Sequence, residues 1–262
     1  METLKEYSMR GIAPTVSKIL RLPPLAQATG SAIRQIVQDL AGCDRVAILA
    51  PDALGEFAWL QWRNEMPWLS SLHAKRSIIL HAILPSVTPV NFACMVTGAE
   101  ASVHGIQKKR DSFQCETLFD LVRAAEGKSA GIGLDGYTGD LLLGRYADIW
   151  GNAGQDDDDA DVADKVIEIA DKHAPRFLIT QFGVVDTLFH KYGPSSAEMI
   201  PALRDTDVRL RRVTEHLKGL GYGVILLADH GQHDRKNAGP NEKKGAHGTD
   251  SPEDCRVPCT WI

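Results

Sequence analysis

The sequence predicts a doubly wound α/β fold, a mostly parallel sheet with helices on both faces. Two observations carry this. Four runs, Arg45–Ala50, Ser77–Leu84, Arg176–Phe182 and Tyr222–Ala228, are nearly continuously apolar rather than alternating, as strands buried on both faces are. Stretches of helical period alternate with them, such as Ile33, Ile36, Val37 and Leu40 ahead of the first run. Strands that alternate with helices build a parallel sheet covered on both sides.

A chain of 262 residues, 44% hydrophobic and 24% charged, can bury a full core. One domain over 1–262 is expected, with a small cap or insert at about 106–156. The formal net charge of −5 gives no reason to expect a nucleic acid polymer or an anionic membrane as partner. No apolar run reaches transmembrane length, and Met1 to Glu6 is polar, without the hydrophobic region of a signal peptide. The five cysteines are scattered, with no CxxC pair, a reducing, cytoplasmic pattern.

The elements follow in order. Gly11 to Leu20 reads as a short helix ended by Pro23 and Pro24, and Ser31 to Leu40 as a second helix stopped near Gly42. The strand Arg45–Ala50 leads to Pro51-Asp52, and Glu56 to Trp62 returns as a helix. The strand Ser77–Leu84 runs into Pro85-Ser86-Val87-Thr88-Pro89-Val90-Asn91, and a helix then continues to Thr97, where Gly98 stops it. A hydroxyl at a strand-to-helix junction sits where free backbone N–H groups collect; taken alone, Thr88 reads first as a helix N-cap. Glu116 to Glu126 is an amphipathic helix capped near Thr117, Ser129 to Ile132 a short strand, and Ala147 to Trp150 an edge strand in a Gly-rich, aperiodic region. The acidic run Asp156–Asp159 feeds a helix to His173 and reads first as a solvated helix N-terminus, secondarily as a metal-binding tail. After the strand Arg176–Phe182, Asp186 and His190 fall in a loop. A long helix over about Ser196–Leu217 precedes the strand Tyr222–Ala228, and Asp229-His230-Gly231 follows at once. Residues 231–250 form a polar loop, and Val257 to Ile262 a final strand.

In such folds ligands bind beyond the carboxyl ends of the strands. Those ends carry Asp52, Thr88, Asp186 with His190, and Asp229 with His230, and His247 enters from the loop before the last strand. Each alone reads as a turn, cap or core residue. Three Asp and three His meet at one edge, where without cations the carboxylates would repel and raise one another's pKa values. Divalent cations remove that conflict, and His with carboxylate suits zinc, manganese or iron.

The ordered set resembles the alkaline phosphatase superfamily, and within it the type I phosphodiesterase/nucleotide pyrophosphatase family. That family reads Pro-[Ser/Thr]-x-Thr-x-x-Asn, Thr-Gly and His-Gly-Ile around its nucleophile. The matching residues here are Pro85 to Asn91, Thr97-Gly98 and His104-Gly105-Ile106. The family's Asp-x-x-Gly-His-x-x-Gly-Pro corresponds to Asp186 through Pro194, with Phe189 in place of Gly. Its Ser-Asp-His-Gly-Met corresponds to Ala228 through Gln232, and its late His-Gly to His247-Gly248. One departure concerns the termini. The family's Ile-Ala-Pro-Thr helix, normally near the C-terminus, resembles Ile12-Ala13-Pro14-Thr15, which suggests a permuted arrangement.

The resemblance implies a two-metal phosphoester hydrolase with Thr88 as nucleophile and a phosphothreonine intermediate. It implies one ion at Asp186, His190 and His247 and another at Asp52, Asp229, His230 and the Thr88 oxygen. Zinc is the family default, and manganese or iron is chemically acceptable. Asn91 is expected to aim its amide at a phosphoryl oxygen. Lys108, in Lys108-Lys109-Arg110, is a weaker candidate for substrate binding, with a solvated basic turn as the alternative. The expected substrate is small and phosphorylated or a phosphonate. Ser102 to Ile106 also resembles phosphonoacetate hydrolases, so C–P cleavage and monoester hydrolysis stay open, as does a non-catalytic relative that binds a phospho-ligand.

Overall fold

Eight strands form one mixed sheet, and helices cover its faces. A computed structural model describes residues 4–154 and 158–262. The first half contains β1 (Glu6–Ser8), α1 (Ile12–Ile19), α2 (Arg34–Asp39), β2 (Arg45–Pro51), α3 (Glu56–Trp62), α4 (Pro67–His73), β3 (Ile78–His81), α5 (Thr88–Thr97), α6 (Ala101–His104) and α7 (Leu118–Ala124). Then come β4 (Ser129–Gly133), β5 (Ile149–Asn152), α8 (Asp159–His173), β6 (Phe177–Phe182), α9 (Val184–Tyr192) and α10 (Ile200–Gly219). Last are β7 (Tyr222–Leu227), the short β8 (His233–Asp234) and β9 (Gly245–Ala246), α11 (Pro252–Cys255) and β10 (Arg256–Trp261).

The strand order is β1-β3-β10-β7-β2-β6-β4-β5. All pairings in this sheet are parallel except those of β10, which runs antiparallel to both β3 and β7. The apolar runs therefore become the buried centre, as expected: β6 and β7 are buried along their whole length. Helix α10 buries Leu203, Leu210, Val213 and Leu217, a stripe at helical spacing that packs against α8 and β7. Because β2, β6 and β7 are parallel, their carboxyl ends meet on one edge. The loop from β3 to α5 arrives there too, and antiparallel β10 begins there.

Three differences from the sequence expectations stand out. Asp186 and His190 lie on α9 rather than in a loop. The region expected as a cap, 106–156, contributes β4 and β5 to the main sheet, because Ser129–Gly133 is buried throughout and pairs with β6. The strand β1 and the helix α4 had no distinct sequence signal. Of the acidic run, Asp156 and Asp157 lie outside the described residues, whereas Asp158 caps α8 by accepting the Ala160 N–H at 2.9 Å.

The N-terminal segment packs beside the edge of the sheet. Strand β1 pairs with β3, which separates it from β10, and Arg256 of β10 bridges back to Glu6 at 2.8 Å. Helix α1 packs on α5 and α2. Among the described residues no helix is long and apolar enough to cross a membrane, and all five cysteines are unpaired.

Candidate active and metal site

The strand ends bring Asp52, Thr88, Asp186, His190, Asp229, His230 and His247 together. Thr88 is the first residue of α5, and Val87 takes the cap position without a side-chain cap bond. The Thr88 hydroxyl is thus not spent on capping. Its Oγ1 lies 3.1 Å from His230 Nε2 and 3.5 Å from Asp52 Oδ1. His230 Nε2 is 3.2 Å from Asp229 Oδ2 and 3.6 Å from Asp52 Oδ1. On the other side, Asp186 faces His190 Nε2 and His247 Nε2, each at 3.6 Å. The His230 and His247 rings stack at 4.1 Å and join the two halves.

Among the described residues, two groups have ligand atoms close enough to share an ion: Asp52, Asp229 and His230, and Asp186, His230 and His247. The first trio is the one that the family resemblance implied. The second differs from the implied set, since His230 stands where His190 was expected. His190 still flanks it, with its ring 5.1 Å from that of His247. It reaches Asp186 because the two are four residues apart on α9, hence on one helical face.

Each histidine has its Nδ1 against a backbone carbonyl: His190 with Gly245 O at 3.1 Å, His230 with Gly231 O at 2.9 Å, and His247 with Ser86 O at 3.1 Å. A carbonyl can only accept, so Nδ1 carries the proton and Nε2 keeps a free lone pair toward the cluster. That is the tautomer a metal ligand needs. Burial, then the nearby His230, lowers the pKa of His247 to about 4, so its imidazole is neutral at ordinary pH.

The carboxylates fit a cation as well. Asp52 and Asp229 are buried. Burial, then the charges of Asp229 and Asp186, push the Asp52 carboxyl well above the usual range. Asp229 Oδ1 accepts the Ala53 N–H at 3.1 Å, but its Oδ2 has no hydrogen-bond partner among the described residues. An orphaned buried carboxylate oxygen beside a second buried carboxylate is costly unless a cation lies between them. The donor set, carboxylates with imidazoles whose Nε2 atoms face the cluster, suits zinc, manganese or iron.

The backbone approaches closely here. A Cβ on Gly231 would lie 2.0 Å from Glu253 O, so Asp229-His230-Gly231 needs its glycine for the chain to pass α11.

Asn91 does not serve as expected. It is fully buried. Its Oδ1 accepts the Ile83 N–H at 2.8 Å, and its Nδ2 lies 3.2 Å from Ile83 O and 3.3 Å from Val87 O. Its amide closes the loop that presents Thr88 and leaves no donor for a phosphoryl oxygen. Lys108 sits on an exposed turn whose backbone is held by Asp111 at 2.7 Å, and its ammonium contacts none of the cluster among the described residues.

Sequence reasoning missed three supporting residues. Gln181 Oε1 accepts the Gly139 N–H at 2.7 Å, and its Nε2 donates to Asp52 Oδ2. Gln232 Nε2 donates to Asp186 Oδ1 at 2.9 Å. Asp159 accepts the N–H groups of Gly183 and Val184 at 2.8 and 3.1 Å and so holds the start of α9.

Residues 129–244 match the family model of type I phosphodiesterase / nucleotide pyrophosphatase. The chain resembles that family. The matched segment includes Asp186, His190, Asp229 and His230; Asp52, Thr88 and His247 lie outside it. The structure is similar to phosphonoacetate hydrolase from Sinorhizobium meliloti 1021 in complex with phosphonoacetate, at 20% identity and a TM-score of 0.58, over 74% of this chain and 58% of that one. It is similar to murine ectonucleotide pyrophosphatase / phosphodiesterase 5 at 13% identity and a TM-score of 0.64, over 82% and 87%. A complex of that murine protein with AMP, in an inactive form, matches at 16% identity and a TM-score of 0.57, over 74% and 58%. The chain thus spans about 58% of the length of the bacterial hydrolase. At these identities the likeness is one of fold, an α/β core shared with these proteins. No curated protein matches the sequence.

Proposed function

We propose that this chain is a metal-dependent phosphoric ester hydrolase in which Thr88 is the nucleophile and two divalent ions, zinc by preference, are held by the strand-end carboxylates and histidines. The observation that carries the reading is the uncapped Thr88 hydroxyl, 3.1 Å from His230 Nε2, beside two groups whose ligand atoms converge.

Bound divalent ions would favour the Thr88 alkoxide and neutralise charge on the attacking and leaving oxygens. The remaining work falls to the chain. Asp52, Asp229 and His230 would hold one ion, and Asp186, His247 and the flanking His190 the other. The Thr88 oxygen attacks phosphorus, a P–O bond to Thr88 forms, and the bond to the leaving oxygen breaks. Water then attacks the phosphothreonine and restores the hydroxyl. At the start of α5 the N–H groups of Thr88 and Val90 have no partner within the helix, and Pro89 has none to offer. They can receive a phosphoryl oxygen as its charge grows. Asn91 acts one step back, by fixing the loop that carries Thr88.

The substrate class is a small phosphate ester or a phosphonate. Phosphodiester cleavage is the first reading, from the family match. C–P hydrolysis is the second, favoured by the Ser102-Val103-His104-Gly105-Ile106 run and the likeness in fold to a phosphonoacetate hydrolase. Purified protein assayed with p-nitrophenyl phosphate, a nucleoside 5′-monophosphate nitrophenyl ester and phosphonoacetate separates these. Thr88→Ala should abolish turnover with the fold intact. Turnover that survives Thr88→Ala rejects the proposed nucleophile, and metal-replete wild type inert on all three substrates favours a non-catalytic phospho-ligand binder.

A further inference from the structure

Gln232 stands one residue beyond Gly231, at 1% exposure, where the family motif quoted above carries Met. Met has nearly the same length and no donor, so this chain places an amide where its relatives' pattern has a thioether. The amide is costly there. Its Oε1 is buried without a hydrogen-bond partner among the described residues, and an unsatisfied buried oxygen destabilises. Packing alone therefore does not account for it. Gly245 accommodates it, since a Cβ there would lie 2.2 Å from Gln232 Oε1.

The other end of the amide meets Asp186. Nε2 donates to Oδ1 at 2.9 Å and lies 3.5 Å from His190 Nδ1. Asp186 is only partly buried and belongs to the trio with His230 and His247. One hydrogen bond to Oδ1 restrains rotation of the carboxylate and leaves Oδ2 facing His190 Nε2 at 3.6 Å. Gln181 holds Asp52 in the same manner. Partners that orient a ligand in this way commonly change metal affinity 10- to 100-fold.

We propose that Gln232 is a positioning residue for Asp186 and sets the affinity of the ion on that side of the cluster without touching the other. This rests on the two-ion reading given above. The test is a titration of metal-free protein with Zn²⁺ against a chelating indicator, with melting of the metal-free form as a second readout. Wild type should bind two ions. Gln232→Met should weaken one by about 10- to 100-fold, leave the other unchanged, and leave the melting temperature of the metal-free form unchanged or raised, because the orphaned oxygen is removed. In a double-mutant cycle, adding Gln232→Met to Asp186→Asn should cost almost nothing further. Wild type binding two ions with Gln232→Met indistinguishable from it, or Gln232→Met weakening both equally, overturns this inference alone. The same holds if the two substitutions add in full. Wild type binding no ion overturns the two-ion reading and this inference with it.

Discussion

The Thr88 hydroxyl oxygen lies 3.1 Å from His230 Nε2, the unprotonated nitrogen of a ring whose Nδ1 is committed to the Gly231 carbonyl. Thr88 is therefore the donor in this pair, and its oxygen lone pairs are free. Thr88→Ser keeps the oxygen and loses a methyl group, so it should retain measurable turnover. Thr88→Val keeps the shape and loses the oxygen, and kcat should fall by at least about 10³-fold. Steady-state rates for the two variants, with bound metal quantified in each, check this. Equal losses in both would count against a nucleophilic role.

Crowding among the acids gives a second expectation. Asp52 is driven up in pKa first by burial and then by Asp229 and Asp186, so protons compete with cations for these oxygens. Zn²⁺ at 100 times its dissociation constant should stabilise the fold by about 2.7 kcal/mol per site. That gain should shrink as pH falls from 8 to 5, because metal binding then has to release more protons. Melting with Zn²⁺ and with a chelator across that range measures it, and a gain that grows toward acid pH would contradict the assignment.

Asn91 should behave as a structural residue. Asn91→Ala strips the Ile83 N–H of its acceptor and removes bonds to the Ile83 and Val87 carbonyls. Leaving such a buried donor unpaired costs about 1 to 3 kcal/mol. Chemical denaturation should show that loss, while KM for a small phosphoester changes less than kcat, since the defect lies in how the loop presents Thr88. A stability equal to wild type, with KM alone raised, would restore the substrate-binding role expected from the sequence.

The legibility of this protein follows the range of its interactions. Asp52, Thr88, Asp229 and His230 could be found because each lies at or shortly after the end of a run whose burial is written in its apolar residues, and strand ends in a parallel sheet share one edge. Helix α9 could not be seen. Its first N–H groups are satisfied by Asp159, which belongs to a different helix, so no local capping signal marks Val184. The antiparallel course of β10 was equally hidden, since a buried strand reads alike in either direction. Asn91 matched a motif position, yet its role depends on the path of residues 83–87, which no spacing rule describes. Gln181 and Gln232 looked like ordinary polar residues until the fold set them against Asp52 and Asp186.

Asp159 gives the last prediction. Burial raises its pKa from the ordinary 3.8 to about 6, against the lowering effect of the Val184 and Gly183 N–H groups. The native carboxyl thus holds its proton more tightly than the unfolded one. Its contribution to stability is complete below about pH 4 and is lost as pH rises through about 6; the full shift corresponds to roughly 3 kcal/mol. Asp159→Asn cannot titrate but can still accept one of the two N–H bonds. The melting temperature of wild type relative to Asp159→Asn should therefore rise as pH falls from 7.5 to 5. Parallel melts of the two proteins at matched ionic strength decide it. A difference that stays constant with pH would mean that the Asp159 carboxyl titrates near its ordinary value, and that the two N–H bonds to α9 outweigh its burial.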